Sequence, residues 1–161
     1  MMERKHRARL WLFGGMTFAC MLMIFLFSAQ HASESQRLSD GFLSSLIGAF
    51  LERFLPHLSE KGMSVDIRKY AHMAEYFCLG VSTFLFVSEM TRWQGRSKAV
   101  LLSSAWCLLY ACTDELHQVF VPGRAGRVSD VLIDGVGFGS GILLLLLIRL
   151  IFEKKREQEK E

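Results

Sequence analysis

Proline occupies only two of the 161 positions, Pro56 and Pro122, so little in the chain forbids long uninterrupted helices. Charge of one sign is also scarce. The formal net charge is +3, too small an excess to hold a nucleic-acid backbone. The four cysteines, Cys20, Cys78, Cys107 and Cys112, fit no zinc-ribbon or redox spacing. They fall inside apolar runs, where thiols act as small packing groups, so neither a disulfide nor a catalytic thiol is expected. No HExxH or comparable metal signature occurs. Nor is there an internal repeat or a broken apolar segment of the kind that builds alternating-access transporters.

What is present is apolar and long. The chain is 51% hydrophobic, with thirteen Phe and eight Met and a mean hydropathy of +0.26. Apolar runs over 10–28, 70–90, 99–118 and 130–152 are each long enough to cross a hydrocarbon core of about 30 Å. The first is longer than the apolar stretch of a signal peptide and ends without a clean small-x-small cleavage site, so it reads as a retained span. The expected architecture is therefore an all-α membrane protein, one unit over residues 1–161, built as a bundle of four transmembrane helices. Between the first two spans, Phe42, Leu43, Leu46, Ile47, Phe50, Phe54, Leu55 and Leu58 recur at helical spacing. This segment, about 41–58, is too polar to span. It is expected to lie in the interface as an amphipathic helix, broken by Pro56.

Basic residues at the N-terminus, in the loop with Arg92, Arg96 and Lys98, and at Lys154, Lys155, Arg156 and Lys160 share one side of a four-span chain. The positive-inside rule makes that side cytoplasmic and puts both termini there. Trp93 in that loop reads as an interface anchor, and Glu89 as a solvated residue at the inner end of its helix. The opposite side then collects an unusual set of ionisable residues at one membrane depth, where a charge costs roughly 2.5–3.5 kcal/mol.

Arg68, His72 and Glu75 share one face of the second span, and Asp114, His117 and Gln118 share one face of the third. Glu115 lies about 100° away from Asp114. Asp130, Asp134, Gly137 and Gly141 form a stripe on the fourth span, with Gly135 and Gly139 a second small pair for close helix packing. Val121-Pro122-Gly123-Arg124 has the pattern of a type II turn. Ser129 or Asp130 is placed to cap the fourth helix.

Three readings of this cluster compete. Arg68, Arg124 and Arg127 can pair with Glu75, Asp114, Glu115 and Asp130 as a structural network. Alternatively His72, Glu75, Asp114, Glu115, His117 and Asp134 can form an acid–base centre or hold a divalent metal such as manganese, magnesium or zinc. Such a centre would make the protein a membrane hydrolase or transferase acting on a lipid-linked or phosphoester substrate. Lastly, Arg124 and Arg127 can clamp an anionic group, with Arg68, Gln118 and Asp130 as further ligand contacts. No cofactor follows from the residues, and whether the chain is an enzyme stays open.

Three motifs carry a resemblance. Phe27-Ser28-Ala29-Gln30 with Ser33 and Ser35 follows the first span, and Arg68-Lys69-x-x-His72-x-x-Glu75-Tyr76-x-x-Leu79-Gly80 opens the second. Asp114-Glu115-x-His117-Gln118-x-Phe120-x-Pro122-Gly123-Arg124 leads to Asp130, Asp134 and Gly137. Together they resemble the VanZ-like family of small bacterial membrane proteins, named for a teicoplanin-resistance protein. The resemblance implies a multi-span helical protein of the bacterial cytoplasmic membrane. It also implies a link to lipoglycopeptide resistance, with membrane lipid and an envelope ligand as partners: the antibiotic, a cell-wall precursor or an anionic lipid. It brings no defined reaction with it.

Overall fold

The computed structural model describes residues 2–29, 67–92 and 95–159. They form four helices: α1 (Met2–Ser28), α2 (Ile67–Met90), α3 (Arg96–Gln118) and α4 (Val128–Gln158). All four are long and apolar enough to cross a membrane, and no strand occurs among the described residues. The chain is a helical membrane bundle. The amphipathic segment expected at 41–58 and the anchor expected at Trp93 lie outside the described residues. Each helix runs past its apolar core by a few residues, because Arg, Lys, Glu and Gln at the ends are good helix formers that reach water. The expected spans are accordingly shorter than the helices, most of all at Met2–Arg9 and Glu153–Gln158.

α2 is the central element. Its most extensive contact is with α4, then with α1, then with α3, whereas α1 and α3 meet over a short stretch only. The α2–α4 contact is close because glycines line it. A Cβ added at Gly137 would lie 2.4 Å from the Met73 carbonyl oxygen, and one at Gly141 would lie 2.5 Å from that of Phe77. From the other side, a Cβ at Gly80 would lie 2.4 Å from the Phe138 carbonyl oxygen. The two backbones therefore touch without intervening side chains. The second pair does not behave the same way. Nothing lies within 4 Å of a Cβ built on Gly139, and only the Phe138 ring comes as near as 4.0 Å to one on Gly135. Those two glycines sit on the other side of α4, since 135 and 139 are rotated by about 200° from 137 and 141.

The remaining core is apolar: Ile24 of α1, Tyr76, Leu79, Phe84 and Val87 of α2, Ala99, Cys107 and Ala111 of α3, and Phe138 and Ile142 of α4. Cys107 is buried there, Cys20 is half-buried, and Cys78 and Cys112 face outward.

At the end of the bundle that carries both chain termini, Glu89 is not solvated. It is 7% exposed, and its carboxylate lies 3.0 Å from His6 Nδ1 and accepts a 3.3 Å hydrogen bond from Arg9 Nη1. The sequence expectation failed because the first helix begins eight residues before its apolar run and brings His6 and Arg9 alongside α2. Glu153 is held nearby by Arg96 and by Arg149 Nε at 2.9 Å. Arg9 is largely exposed, which weakens its share. Glu89→Ala is therefore expected to cost about 1–2 kcal/mol, measured as a lower unfolding midpoint in mild detergent. An unchanged midpoint would show that the His6 and Arg9 contacts with Glu89 do not hold this end of α1.

Candidate functional site at the polar end of the bundle

The opposite end is where the ionisable residues meet. α3 ends in a turn set by Pro122 and Gly123. Gly123 has φ of 78°, and the Arg124 amide donates to the Val121 carbonyl at 3.1 Å. This is the type II geometry the sequence implied, and it turns Arg124 back onto the bundle. Arg124 is 9% exposed, and its Nη2 donates to the Phe27 carbonyl at 2.7 Å. A last-turn carbonyl of α1, which has no partner within its own helix, is thereby satisfied.

Beneath the turn lies a hydrogen-bonded set. Ser28 Oγ donates to Asp114 Oδ2 at 2.8 Å. Gln118 Nε2 lies 3.0 Å from Ser28 Oγ, 3.2 Å from Asp114 Oδ2 and 3.1 Å from Glu115 Oε1. Glu115 also accepts the Arg127 backbone N–H at 2.9 Å. Arg127 occupies the cap position of α4 and makes no side-chain cap bond. Glu115, reaching over from α3, is what satisfies that N–H, and its charge sits at the positive end of the α4 dipole. The sequence placed the cap at Ser129 or Asp130. The helix starts earlier, so both fall inside its first turn, where Ser129 Oγ donates to Asp130 Oδ1 at 3.1 Å. Gly126 permits the approach, since a Cβ there would lie 2.3 Å from the Glu115 carbonyl oxygen.

A second group lies between α2 and α4. His72 Nδ1 is 3.7 Å from Asp134 Oδ1, beyond hydrogen-bond range, and its ring stacks on Tyr76 with centroids 6.4 Å apart. Glu75 is within electrostatic reach of His72, Asp114, Asp134 and Arg124. Tyr76 is within reach of Asp114, Asp134 and Glu115. Asp134 is 1% exposed and Tyr76 0%. Neither Asp134 oxygen, nor the Tyr76 hydroxyl, nor Glu75 Oε2 has a hydrogen-bond partner among the described residues.

The predicted residues are thus brought together unequally. His72, Glu75, Asp114, Glu115, Gln118, Arg124 and Asp134 converge. His117 turns aside, its ring packed on Phe25 of α1 at 4.9 Å. Asp130 is half-buried in the first turn of α4, and the Arg127 side chain is exposed. Arg68 lies in the first turn of α2, and its side chain is outside the described set. Although they gather at one end, no group of three His, Cys, Asp or Glu side chains among the described residues is close enough to hold a metal ion. Two members were missed by sequence reasoning. Ser28 and Tyr76 both sit in the motifs, yet neither is charged, and only the charged positions stood out against the apolar background.

A family model described as VanZ/LLP1 matches residues 13–149. The chain belongs to the VanZ/LLP1 family. No curated protein and no solved structure matches it. In this VanZ/LLP1 chain the motif Ser28-Ala29, the His72–Tyr76 stretch and the Asp114–Arg124 stretch come from three helices and meet at one end of the bundle. The matched region holds all of them.

Proposed function

We propose that this end of the bundle faces outward and receives a ligand of the cell envelope, through which the protein contributes to teicoplanin resistance. The observation that carries the reading is a group of buried polar atoms without hydrogen-bond partners among the described residues: both oxygens of Asp134, which has His72 Nδ1 at 3.7 Å as an ion-pair neighbour, the Tyr76 hydroxyl and Glu75 Oε2. Each such group costs about 1–3 kcal/mol, more when charged, if nothing pairs with it. A site that meets those groups with a ligand recovers that cost on binding. His72 and Glu75, both half-buried, mark the approach to Asp134. Orientation follows from charge: Arg4, Lys5, Arg7, Arg9, Lys98 and Lys154 crowd the end with the termini, which the positive-inside rule puts in the cytoplasm. Arg124 and Arg127 remain the contacts for an anionic part of the ligand, Arg127 by its exposed side chain.

The test is susceptibility of a sensitive Gram-positive host to teicoplanin and vancomycin, at matched membrane abundance. Wild type is expected to protect against teicoplanin, and Asp134→Asn, which keeps the side-chain shape, to return the host to empty-vector susceptibility. No protection by wild type would overturn the resistance reading. A second reading rests on the His72–Asp134 pair, an imidazole beside a carboxylate able to move a proton. It makes the same end a hydrolase or transferase centre. Turnover of a lipid-linked phosphoester, abolished by His72→Gln, is the result that would favour it.

A further inference from the structure

Among the described residues of the polar end, buried oxygens of Glu75, Tyr76 and Asp134 have no hydrogen-bond donor. Asp114 and Glu115 are served by Ser28, Gln118 and the Arg127 N–H. Arg124 Nη2 is engaged by the Phe27 carbonyl. Between α2 and α4, both oxygens of Asp134 and Oε2 of Glu75 remain without a hydrogen bond, the Tyr76 hydroxyl can give one hydrogen or take one, and His72 Nδ1 lies 3.7 Å from Asp134 Oδ1. Asp134 is 1% exposed and Tyr76 0%, so bulk water does not satisfy them.

We infer that Glu75, Tyr76 and Asp134 form a cradle for an ammonium group bearing N–H donors, carried by a lipid headgroup or by a soluble amine. The inference rests on the reading of this end as a ligand site and names the part of the ligand that enters deepest. An ammonium offers three donors and a positive charge, which matches three oxygens of two carboxylates, two from Asp134 and one from Glu75, with the Tyr76 hydroxyl beside them. An anion would meet those carboxylates and be repelled, so the phosphate or carboxylate of the same ligand stays nearer Arg127, at the surface. His72 stands 3.7 Å from Asp134 as the side group closing the cradle. Its ring runs nearly parallel to that of Tyr76, with centroids 6.4 Å apart.

The experiment uses the full chain in lipid nanodiscs, with unfolding midpoint and lipid retention by native mass spectrometry as readouts. Discs of phosphatidylglycerol alone are the baseline. Phosphatidylethanolamine is added in one arm and phosphatidylcholine, whose quaternary nitrogen has no N–H, in another. Hexylammonium is titrated into phosphatidylglycerol discs in a third. Wild type is expected to be stabilised by ethanolamine lipid or by hexylammonium, and not by choline lipid. In Asp134→Asn that response is expected to weaken at least about tenfold in affinity, the size of one charge-assisted hydrogen bond. Glu75→Gln, at a half-buried position, serves the same purpose should Asp134→Asn fail to fold. Response to ethanolamine lipid alone identifies the lipid source, and response to hexylammonium alone the soluble one. No response from wild type, an equal response to choline lipid, or an unchanged response in the variants overturns the inference. Protection against teicoplanin without any amine response would sink this inference and leave the proposed function standing. The reverse pattern would remove the resistance reading alone.

Discussion

Gly137→Ala is expected to lower the unfolding midpoint of the bundle sharply, while Gly139→Ala, the same change two residues away, leaves it unchanged or raises it. The added methyl at position 137 would stand 2.4 Å from the Met73 carbonyl oxygen and 3.1 Å from Tyr76 Cβ. Both contacts are with parts of α2 that cannot swing aside, since one is backbone and the other is the first carbon of a fully buried side chain. α4 must then move off α2, and the interlock at Gly80 and Gly141 loosens with it. Overpacking of this kind costs about 1–3 kcal/mol, and the upper half of that range is expected where backbone meets backbone. At position 139 nothing lies within 4 Å, and replacing glycine by alanine in a helix gains up to about 1 kcal/mol. Thermal unfolding in mild detergent, followed by monodisperse recovery on gel filtration, reads both. Equal effects of the two substitutions would show that α2 and α4 are not packed backbone to backbone. The site responds too. Tyr76 and Asp134 lie on the same contact, so Gly137→Ala is expected to weaken any ligand response along with stability.

That contact was half legible in the sequence. The stripe Asp130, Asp134, Gly137, Gly141 follows from helical periodicity, and the structure puts its glycines on α2. The pair Gly135 and Gly139 has the same spacing and an open environment, because spacing identifies a face without saying which face meets a neighbour. The four spans were legible because a continuous apolar run of some twenty residues has few other uses. Charged residues in such runs are costly enough to stand out, which is why His72, Glu75, Asp114 and Asp134 were found.

Residues whose role comes from a distant partner were not legible. Ser28 is one small hydroxyl at the end of a run, and its importance lies in Asp114 and Gln118 of another helix. Glu115 was a candidate acid by its charge, whereas its Oε2 takes up the N–H at the start of α4, twelve residues along the chain. Glu89 looked like a solvated helix end until His6 and Arg9 were found across from it. In each instance the sequence shows one half of an interaction and the bundle supplies the other.

Gln118→Leu carries the second large expected effect. Gln118 is 2% exposed, and its amide nitrogen is within donor distance of Ser28, Asp114 and Glu115. Two N–H groups are therefore shared among three acceptors, so the residue works as a hub between α1, α3 and the start of α4. Leucine keeps most of the volume and removes every donor. Two buried carboxylates lose a partner at once, and a buried group left unpaired costs about 1–3 kcal/mol, more when charged. A loss of about 3 kcal/mol is expected for Gln118→Leu, against about 1 kcal/mol for Ser28→Ala, which removes one donor to Asp114 and leaves Gln118 to serve it. The double variant is expected to cost less than the sum, because the Gln118–Ser28 contact is counted in both single changes. Additive effects would mean that the two side chains act independently. Gln118→Glu separates geometry from charge. It nearly preserves the shape but places a third carboxylate beside Asp114 and Glu115, and like charges at that depth repel strongly. It is expected to be more damaging than Gln118→Leu at neutral pH and to recover as the pH is lowered, when protonation restores a donor. A variant as stable as wild type at neutral pH would show that charge repulsion does not govern this position.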